Sequence, residues 1–292
     1  MLMIYQRKDV VPSLEDKIIE LYIKGLKPIE IQELTGVCIP TIMVILDPRY
    51  SGYENNKMVS FKTEGKSILI IADTHIGHKD ENFKYIDEAY ETGIKNNVSC
   101  CIHLGDLIEG ELLDEDAPID VQMEEVMDYY PELDDFYTFL TMGNHDFYVF
   151  DEHKNYLRML ESKKGLKVLG YKRTYFDWNN YIFGCEHKIA EKYFPDDFLL
   201  EQVQHYFVGH GHELKQKTKL RLKAPTLSDN IINQFNGAYP AFLIANLEDN
   251  YLHVDVYNFK DNKVRIKKKD YLVKEMVKFK KKKWLDERYI NC

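Results

Sequence analysis

Short apolar runs rich in β-branched and aromatic residues recur through the middle of this 292-residue chain. Runs of this length and composition predict buried strands. Four of them stop abruptly: 67–72 (SILIIA) before Asp73, 98–104 (VSCCIHL) before Gly105, 137–142 (YTFLTM) before Gly143, and 206–208 (YFV) before Gly209. Each predicted strand therefore leads into a loop that starts at an aspartate or a glycine.

Helical patterns separate these runs. Apolar residues recur with helical spacing over 81–96, 119–130 and 152–163. Later, 241–246 and 252–259 alternate as a β-hairpin around turn residues 248–250, and 263–267 is a candidate for one more strand. Strands that alternate with helices predict an α/β fold in which helices cover sheets.

The first part of the chain has a different pattern. Ser13 can cap a helix with Asp16, and the apolar face that follows stops at Gly25. A second short helix over 28–34, a turn at Gly36 and a third helix over 40–46 complete a spacing that resembles a helix-turn-helix of the resolvase or sigma-factor type. Within the stretch that would read DNA bases, 38–44 (CIPTIMV), only Thr41 is a plausible hydrogen-bonding reader.

The charge of this unit leaves its role open. The first 60 residues carry 7 Lys and Arg against 8 Asp and Glu, which gives no strong field for phosphates. Sequence-specific DNA binding and a packing or self-association module with an exposed apolar face, which would make a homo-oligomer, both fit. The connector 47–64 is rich in turn residues, so we place a domain boundary near residue 60. We therefore expect residues 1–60 to form a helix-turn-helix-like domain with its connector, 61–262 a catalytic domain, and 263–292 a basic extension.

Composition indicates an enzyme with a sizeable core. The chain is 45% hydrophobic, contains no run of about 18 apolar residues and lacks a signal-peptide pattern. Its five cysteines are odd in number and lack the spacing of a metal knuckle: Cys38, Cys100, Cys101, Cys185 and Cys292. Such cysteines suit reduced thiols, so we expect a cytoplasmic protein without membrane insertion.

The end of the chain is strongly basic. Residues 262–292 carry 12 Lys and Arg and 4 Asp and Glu, a balance of +8, so with a total charge of −9 the remainder carries −17. Aromatic residues interrupt this segment, including Trp284. It could bind a nucleic acid by gripping phosphates and stacking bases, dock on the acidic remainder, or solubilise the terminus.

Polar residues with metal-binding side chains cluster where the predicted strands end. The clusters are Asp73, Thr74 and His75; Gly105 and Asp106; Gly143, Asn144, His145 and Asp146; His187; and Gly209, His210, Gly211 and His212. Ligands bind at the carboxyl ends of strands in open α/β sheets, and these oxygen and imidazole groups suit Mn, Fe, Zn or Mg. Five clusters in this order favour a two-metal hydrolase site over ordinary polar loops.

The set D-x-H, G-D, G-N-H-D/E, H and G-H-x-H resembles the pattern of the calcineurin-like metallophosphoesterase superfamily over roughly residues 66–260. The resemblance implies a β-sandwich flanked by helices, here with a small all-α domain at the N-terminus. It also implies two divalent metal ions, with Mn as the leading candidate. Asp73, His75, Asp106 and His212 would hold one metal, and Asp106, Asn144, His187 and His210 the other.

The implied chemistry is attack on phosphorus by a hydroxide that bridges the two metals. His145 would protonate the leaving oxygen, and Asp146 would either orient His145 or cap a helix. Among other residues, His103 is expected to be a packed core residue, and His78 either supports the site or touches substrate. The acidic stretch that includes Glu109 is expected to be a solvated loop and helix face.

Departures from the protein-phosphatase branch of the superfamily narrow the range of possible substrates. Protein phosphatases usually carry G-D-x-x-D-R-G, an Arg before G-N-H and no second His in the last motif, whereas this chain has Glu109, Met142 and His212 at those places. The leading hypothesis is a phosphodiesterase acting on a nucleic acid or nucleotide. The alternatives are a phosphomonoesterase or small-nucleotide hydrolase, and a DNA-binding regulator that uses the fold only as a scaffold.

Overall fold

A computed structural model of the chain describes residues 59–110, 117–152, 154–171, 173–187, 203–212, 215–218, 221–229, 239–248, 251–260 and 263–272, with 28–37 and a few single positions before them. The described helices are α1 (Pro28–Thr35), α2 (Phe83–Lys95), α3 (Ile119–Tyr129), α4 (Asn144–Glu152) and α5 (Lys154–Ser162). Among them, none has the length and apolar character required to cross a bilayer.

Thirteen strands are described, and they form two sheets. The strands are β1 (Val59–Thr63), β2 (Ser67–Ile71), β3 (Cys101–His103), β4 (Thr138–Met142), β5 (Leu166–Tyr171), β6 (Arg173–Trp178), β7 (Tyr181–Glu186), β8 (Val203–Val208), β9 (Lys215–Thr218), β10 (Arg221–Lys223), β11 (Ala241–Glu248), β12 (Tyr251–Lys260) and β13 (Lys263–Leu272). One sheet has the order β13-β12-β11-β2-β3-β4-β5, and the other has the order β1-β6-β7-β8-β10-β9.

The two sheets pack face to face. Side chains alternate along β2, so Ile68 and Ile70 lie in a core with Phe183 of the second sheet, while Leu69 and Ile71 lie in a second core under the helices. All five residues of β2 are buried, as expected for a strand covered on both faces. The predicted α/β fold with two sheets is thus confirmed.

Several elements were absent from the sequence prediction, namely α4 and the strands β1, β5, β6, β7, β9 and β10. The predicted connector over 47–64 was wrong at its end, because 59–63 form β1, which pairs in parallel with β6. Phe61 explains why: its ring is fully buried and stacks on Phe139 at a centroid distance of 3.8 Å. A single aromatic residue at a strand centre thus fixes a segment that the sequence pattern left unassigned.

The parallel strands fix where the loops gather. β2, β3 and β4 run in the same direction, with Ile71 beside His103 and His103 beside Leu140. In the second sheet β7 and β8 are also parallel, with Glu186 beside Val208. The loops after all five strands carry the predicted ligands.

The N-terminal unit is described only in part. Helix α1 matches the predicted second helix, and Gly36 ends it with a φ of +69°, the left-handed conformation that glycine adopts freely. Ile18, Ile31 and Ile42 are fully buried in one small cluster. Apart from single positions such as Ile18 and Ile42, the rest of the predicted helix-turn-helix, including Thr41, lies outside the described residues.

The basic segment begins as a strand. β13 pairs with β12 from Lys263 opposite Lys260 to Leu272 opposite Tyr251. Its first ten residues therefore belong to the seven-stranded sheet. Residues 273–292, which contain the densest run of lysines, lie outside the described residues.

Candidate metal centre

Backbone hydrogen bonds lay the first two ligand loops side by side. The Asp73 amide donates to the Gly105 carbonyl at 2.9 Å, and the His75 amide donates to the Asp106 carbonyl at 3.1 Å. Ile76 and Ile108 continue this pairing as an isolated parallel bridge. These backbone hydrogen bonds hold Asp73, His75 and Asp106 next to one another, just beyond the carboxyl ends of β2 and β3.

Five of the seven predicted ligands have left-handed backbone conformations: Asp73 (φ 53°), His75 (φ 48°), Asp106 (φ 52°), His210 (φ 62°) and His212 (φ 51°). Residues other than glycine rarely adopt this region, and each costs on the order of 1 kcal/mol. Such strain persists only where the surroundings enforce it and is concentrated at functional sites.

Asp73, His75 and His212 converge on one point. Nε2 of His75 lies 3.2 Å from Nε2 of His212, which lies 3.5 Å from Oδ1 of Asp73. The other ring nitrogen of His75, Nδ1, donates to Oε2 of buried Glu109 at 2.6 Å. Since a carboxylate can only accept, Nε2 of a neutral His75 carries the lone pair that faces the other two ligands.

Asp106, Asn144 and His187 converge on a second point. Nε2 of His187 lies 3.0 Å from Oδ2 of Asp106 and 3.1 Å from Oδ1 of Asn144. Nδ1 of His187 donates to the Leu104 carbonyl at 2.7 Å, which again aims the lone pair of the neutral ring at the site. His210 belongs to this group as well, because its ligand atom and those of Asp106 and His187 all lie within 4.8 Å of one another.

Asp106 lies between the two groups. Its Oδ2 is 4.0 Å from Nε2 of His75 on one side and 3.0 Å from Nε2 of His187 on the other. This oxygen is buried, yet it accepts no hydrogen bond from the described residues. A buried carboxylate oxygen without a donor is costly, and divalent cations on its two sides would stabilise it. The residues present therefore fit a pair of metal ions with Asp106 as the shared ligand.

The electrostatics of the site favour ligation. Burial alone would raise the pKa of Asp106, but the surrounding imidazoles, His187 foremost, hold it well below its usual value. Burial, followed by the neighbouring His187, lowers the pKa of His210 to about 4, so its ring is neutral and able to coordinate at neutral pH. At His187 burial opposes the charge, but the Asp106 carboxylate outweighs it and raises the pKa to about 9. The Asp106 carboxylate therefore strongly favours a positive charge at the His187 ring, either a proton or a metal ion.

His145 sits beside the first group. Its ring meets the His75 ring edge-on with centroids 4.8 Å apart, and its amide donates to Oδ1 of Asp106 at 3.0 Å. Nδ1 of His145 donates to the Glu109 carbonyl at 2.6 Å, and Oε1 of Glu109 lies 3.5 Å from the same nitrogen. Nε2 is then the nitrogen left to exchange a proton. Burial lowers the pKa of His145, but Asp106 and Glu109 outweigh it and raise it above its ordinary value.

Asp146 acts on the backbone. Its Oδ2 accepts from the Gly143 amide at 2.8 Å, three residues before it, which is the second half of a capping box at the start of α4. Its Oδ1 accepts from the amides of Leu107 and Ile108 at 2.8 and 3.1 Å. Burial and the nearby Asp106 raise its pKa to about 6. Asp146 thus ties two ligand loops together and makes the capping contact, one of the two roles expected for it, while the carbonyl of Glu109 accepts from His145.

The structure corrects the prediction for Glu109. It was expected on a solvated face, but the side chain is only 6% exposed and contacts both His75 and His145. Burial raises its pKa, but the hydrogen bond from His75 outweighs that and leaves it lowered. The one sequence signal for it was its position three residues after Asp106 of the G-D motif.

His103 and His78, which the sequence analysis also considered, have defined contacts. His103 is fully buried, as predicted, and burial lowers its pKa to about 3. Its Nδ1 accepts from the Gly105 amide at 3.2 Å, so Nε2 donates to the Thr74 hydroxyl at 3.1 Å. Nδ1 of His78 accepts from the Asp80 amide at 3.0 Å, which gives this residue a role in the turn after the first ligand loop.

Two glycines are required by space at the centre. A Cβ at Gly143 would lie 2.1 Å from Oδ1 of Asp106, and one at Gly209 would lie 2.5 Å from the Leu104 carbonyl oxygen. Neither distance is possible for a real side chain. Gly143 lets its loop approach the Asp106 carboxylate, and Gly209 lets the last ligand loop approach Leu104.

The comparisons with known proteins agree with this architecture. The profile of the calcineurin-like phosphoesterase family matches residues 66–280. That is well over half of the 292 residues, so the chain belongs to the calcineurin-like phosphoesterase family. A search of curated proteins finds no match.

Several solved structures are similar to this chain at low sequence identity. Vacuolar Protein Sorting 29 from Cryptosporidium parvum is 19% identical, with a TM-score of 0.45, and the match covers 72% of this chain and 99% of that one. Yfce, a phosphoesterase from E. coli, is 12% identical with a TM-score of 0.41, covering 71% and 99%. A predicted phosphoesterase from Streptococcus pneumoniae TIGR4 is 14% identical with a TM-score of 0.39, covering 70% and 97%.

Proposed function

We propose that this protein is a dinuclear-metal-dependent phosphodiesterase that cleaves a nucleic acid or a nucleotide. The observation that carries the proposal is Oδ2 of Asp106, which is buried without a hydrogen-bond donor among the described residues and flanked by ligand groups on two sides. Asp73, His75, Asp106 and His212 would hold one metal, and Asp106, Asn144, His187 and His210 the other. Mn is the leading candidate, with Fe, Zn and Mg as alternatives.

The chain supplies distinct parts of the reaction. When bound, a pair of divalent ions lowers the pKa of a water molecule and offsets phosphate charge. Asp106 holds the two ligand groups together, since both approach the same carboxylate. His145 lies at the edge of the centre with its side chain 17% exposed, where its Nε2 can give a proton to a leaving oxygen. Glu109 fixes the orientation of both His75 and His145.

Sequence features support a phosphodiester substrate. The protein-phosphatase pattern is missing at Glu109 and Met142, and the complete G-H-x-H block is present. The basic segment 262–292, with a balance of +8, would add contacts to DNA or RNA phosphates. The proposed division of the chain is a helix-turn-helix-like unit over 1–60, a catalytic domain over 61–262 and the basic segment over 263–292. The N-terminal helices are candidates for DNA binding or self-association in the cytoplasm.

A substrate panel tests the proposal. The Mn²⁺-loaded protein is offered single- and double-stranded DNA, RNA, cyclic nucleotides and phosphomonoesters, together with a His145→Ala variant. We expect cleavage of one diester class, lost in the variant while bound Mn²⁺ stays at two equivalents. Turnover restricted to monoesters, unaffected by removing residues 273–292, would support the monoesterase alternative. Absence of a stoichiometric dinuclear centre would favour the regulator.

A further inference from the structure

A lysine that belongs to none of the family motifs lies beside the proposed centre. Lys223 is the last residue of β10, and it pairs with Val208 at the end of β8. The chain after β8 is the loop Gly209–Gly211 that carries His210 and leads to His212. The Ala224 amide donates to the Val208 carbonyl at 2.8 Å, which locks the end of β10 against the start of this loop.

The side chain of Lys223 crosses the loop at Gly211. A Cβ built on Gly211 would lie 2.6 Å from both Cδ and Nζ of Lys223 and 3.0 Å from Cε. Gly211 is not among the described glycines with a positive φ, so its backbone conformation does not require glycine, and the atoms nearest to a Cβ at this position belong to Lys223. The ammonium group of Lys223 therefore lies against the loop at Gly211, the residue between His210 and His212 in the chain.

The neighbouring positions on β10 agree with an anion-facing surface. Leu222 is buried in the core between the sheets, so Arg221 and Lys223 lie on the opposite, outer face of the strand. Arg221 stacks on the Tyr206 ring at 5.4 Å and is 3.5 Å from Glu186, which is already paired with Arg173 at 2.6 Å. Among the described residues, Arg173, Arg221 and Lys223 lie on this face with Glu186, at the edge that carries the ligands.

Charge explains why a lysine would be placed there. Four positive charges from two divalent ions exceed the three negative charges of Asp73, Asp106 and Glu109, so the loaded centre repels a further cation. An anionic substrate reverses that repulsion and forms charge-assisted hydrogen bonds with an ammonium group. Resting on the proposed function, we propose that Lys223 is a substrate-positioning residue that binds an anionic oxygen of the phosphate group held at the centre.

The test measures phosphate binding and kinetics separately. Inorganic phosphate is titrated into the Mn²⁺-loaded full chain by calorimetry, and bis(p-nitrophenyl) phosphate reports KM and kcat. Lys223→Met keeps the length of the side chain and removes its charge, and we expect a loss of about tenfold or more in phosphate affinity and a rise in KM of similar size. Bound Mn²⁺ should stay at two equivalents. Lys223→Arg, which keeps the charge, should lose less affinity than Lys223→Met.

A second variant keeps the lysine and moves it. Gly211→Ala leaves every charge in place but forces the side chain of Lys223 off the loop, so it should weaken phosphate binding in the same direction. Lys95→Met, on the exposed face of α2, is the control and should change nothing. Unchanged phosphate affinity and KM in both Lys223→Met and Gly211→Ala would overturn this inference alone. A wild-type protein that holds no Mn²⁺ and turns over no ester would instead overturn the proposed function.

Discussion

Glu109 and His75 form a buried carboxylate–imidazole pair, with Oε2 of Glu109 2.6 Å from Nδ1 of His75. The same residue accepts from Nδ1 of His145 through its backbone carbonyl. One residue therefore sets the ring orientation of a proposed metal ligand and of the proposed acid. Partners of this kind fix the tautomer of a ligating histidine and raise its basicity.

Replacing Glu109 with alanine should therefore weaken metal binding. We expect a loss of about 10- to 100-fold in Mn²⁺ affinity at the first group, measured by calorimetry on the metal-free protein. Glu124→Ala, on the exposed face of α3, is the matched control. Equal Mn²⁺ affinity in the Glu109 and Glu124 variants would show that the pair does not support ligation.

Backbone strain at the ligands predicts a gain in stability when one ligand is removed. His210 has a φ of 62°, so His210→Gly relieves the strain of a left-handed backbone conformation at this residue. In EDTA we expect the free energy of unfolding to rise by about 0.5–1 kcal/mol in urea titrations. In Mn²⁺ the wild type should be the more stable of the two proteins, because the variant lacks a metal ligand. His253→Gly in strand β12 is the control and should be destabilising in both conditions.

Six of the seven proposed ligands follow an apolar run whose end is unambiguous, as Asp73 does after β2, whereas His187 follows β7, which the sequence pattern left unassigned. Glu109 could not be predicted from sequence, since an acidic residue in an acidic stretch ordinarily faces solvent, and only the fold brings it to His75 and His145. Strand β6 was missed for a related reason. Its residues Arg173 and Asp177 break the apolar pattern, yet both are buried, and Arg173 forms an ion pair with Glu186 at 2.6 Å.

The approach of Gly143 to Asp106 predicts a severe effect from a single methyl group. Gly143→Ala would place a Cβ 2.1 Å from Oδ1 of Asp106, so either the loop or the carboxylate must move. We expect loss of the second metal equivalent and a destabilisation of about 1–3 kcal/mol. Gly93→Ala in helix α2, where the nearest atom is a methyl group of Val98 at 3.1 Å, is the control. Two tightly bound Mn²⁺ ions in the Gly143 variant would refute this packing argument.

Stability should also depend on pH through His205, which lies in β8 away from the ligand loops. Burial lowers the pKa of His205 to about 4, below the ordinary value of 6.5. The unfolded chain therefore binds this proton first, and the contribution of the neutral ring, complete above about pH 6.5, is lost as the pH falls to about 4. A shift of this size corresponds to roughly 2–3 kcal/mol across that range. His205→Gln cannot titrate. The free energy of unfolding of the wild type, measured by urea titration in EDTA, should therefore fall relative to that of the variant as the pH falls. A difference that stays constant from pH 7 to pH 4 would show that His205 titrates alike in the folded and unfolded chains.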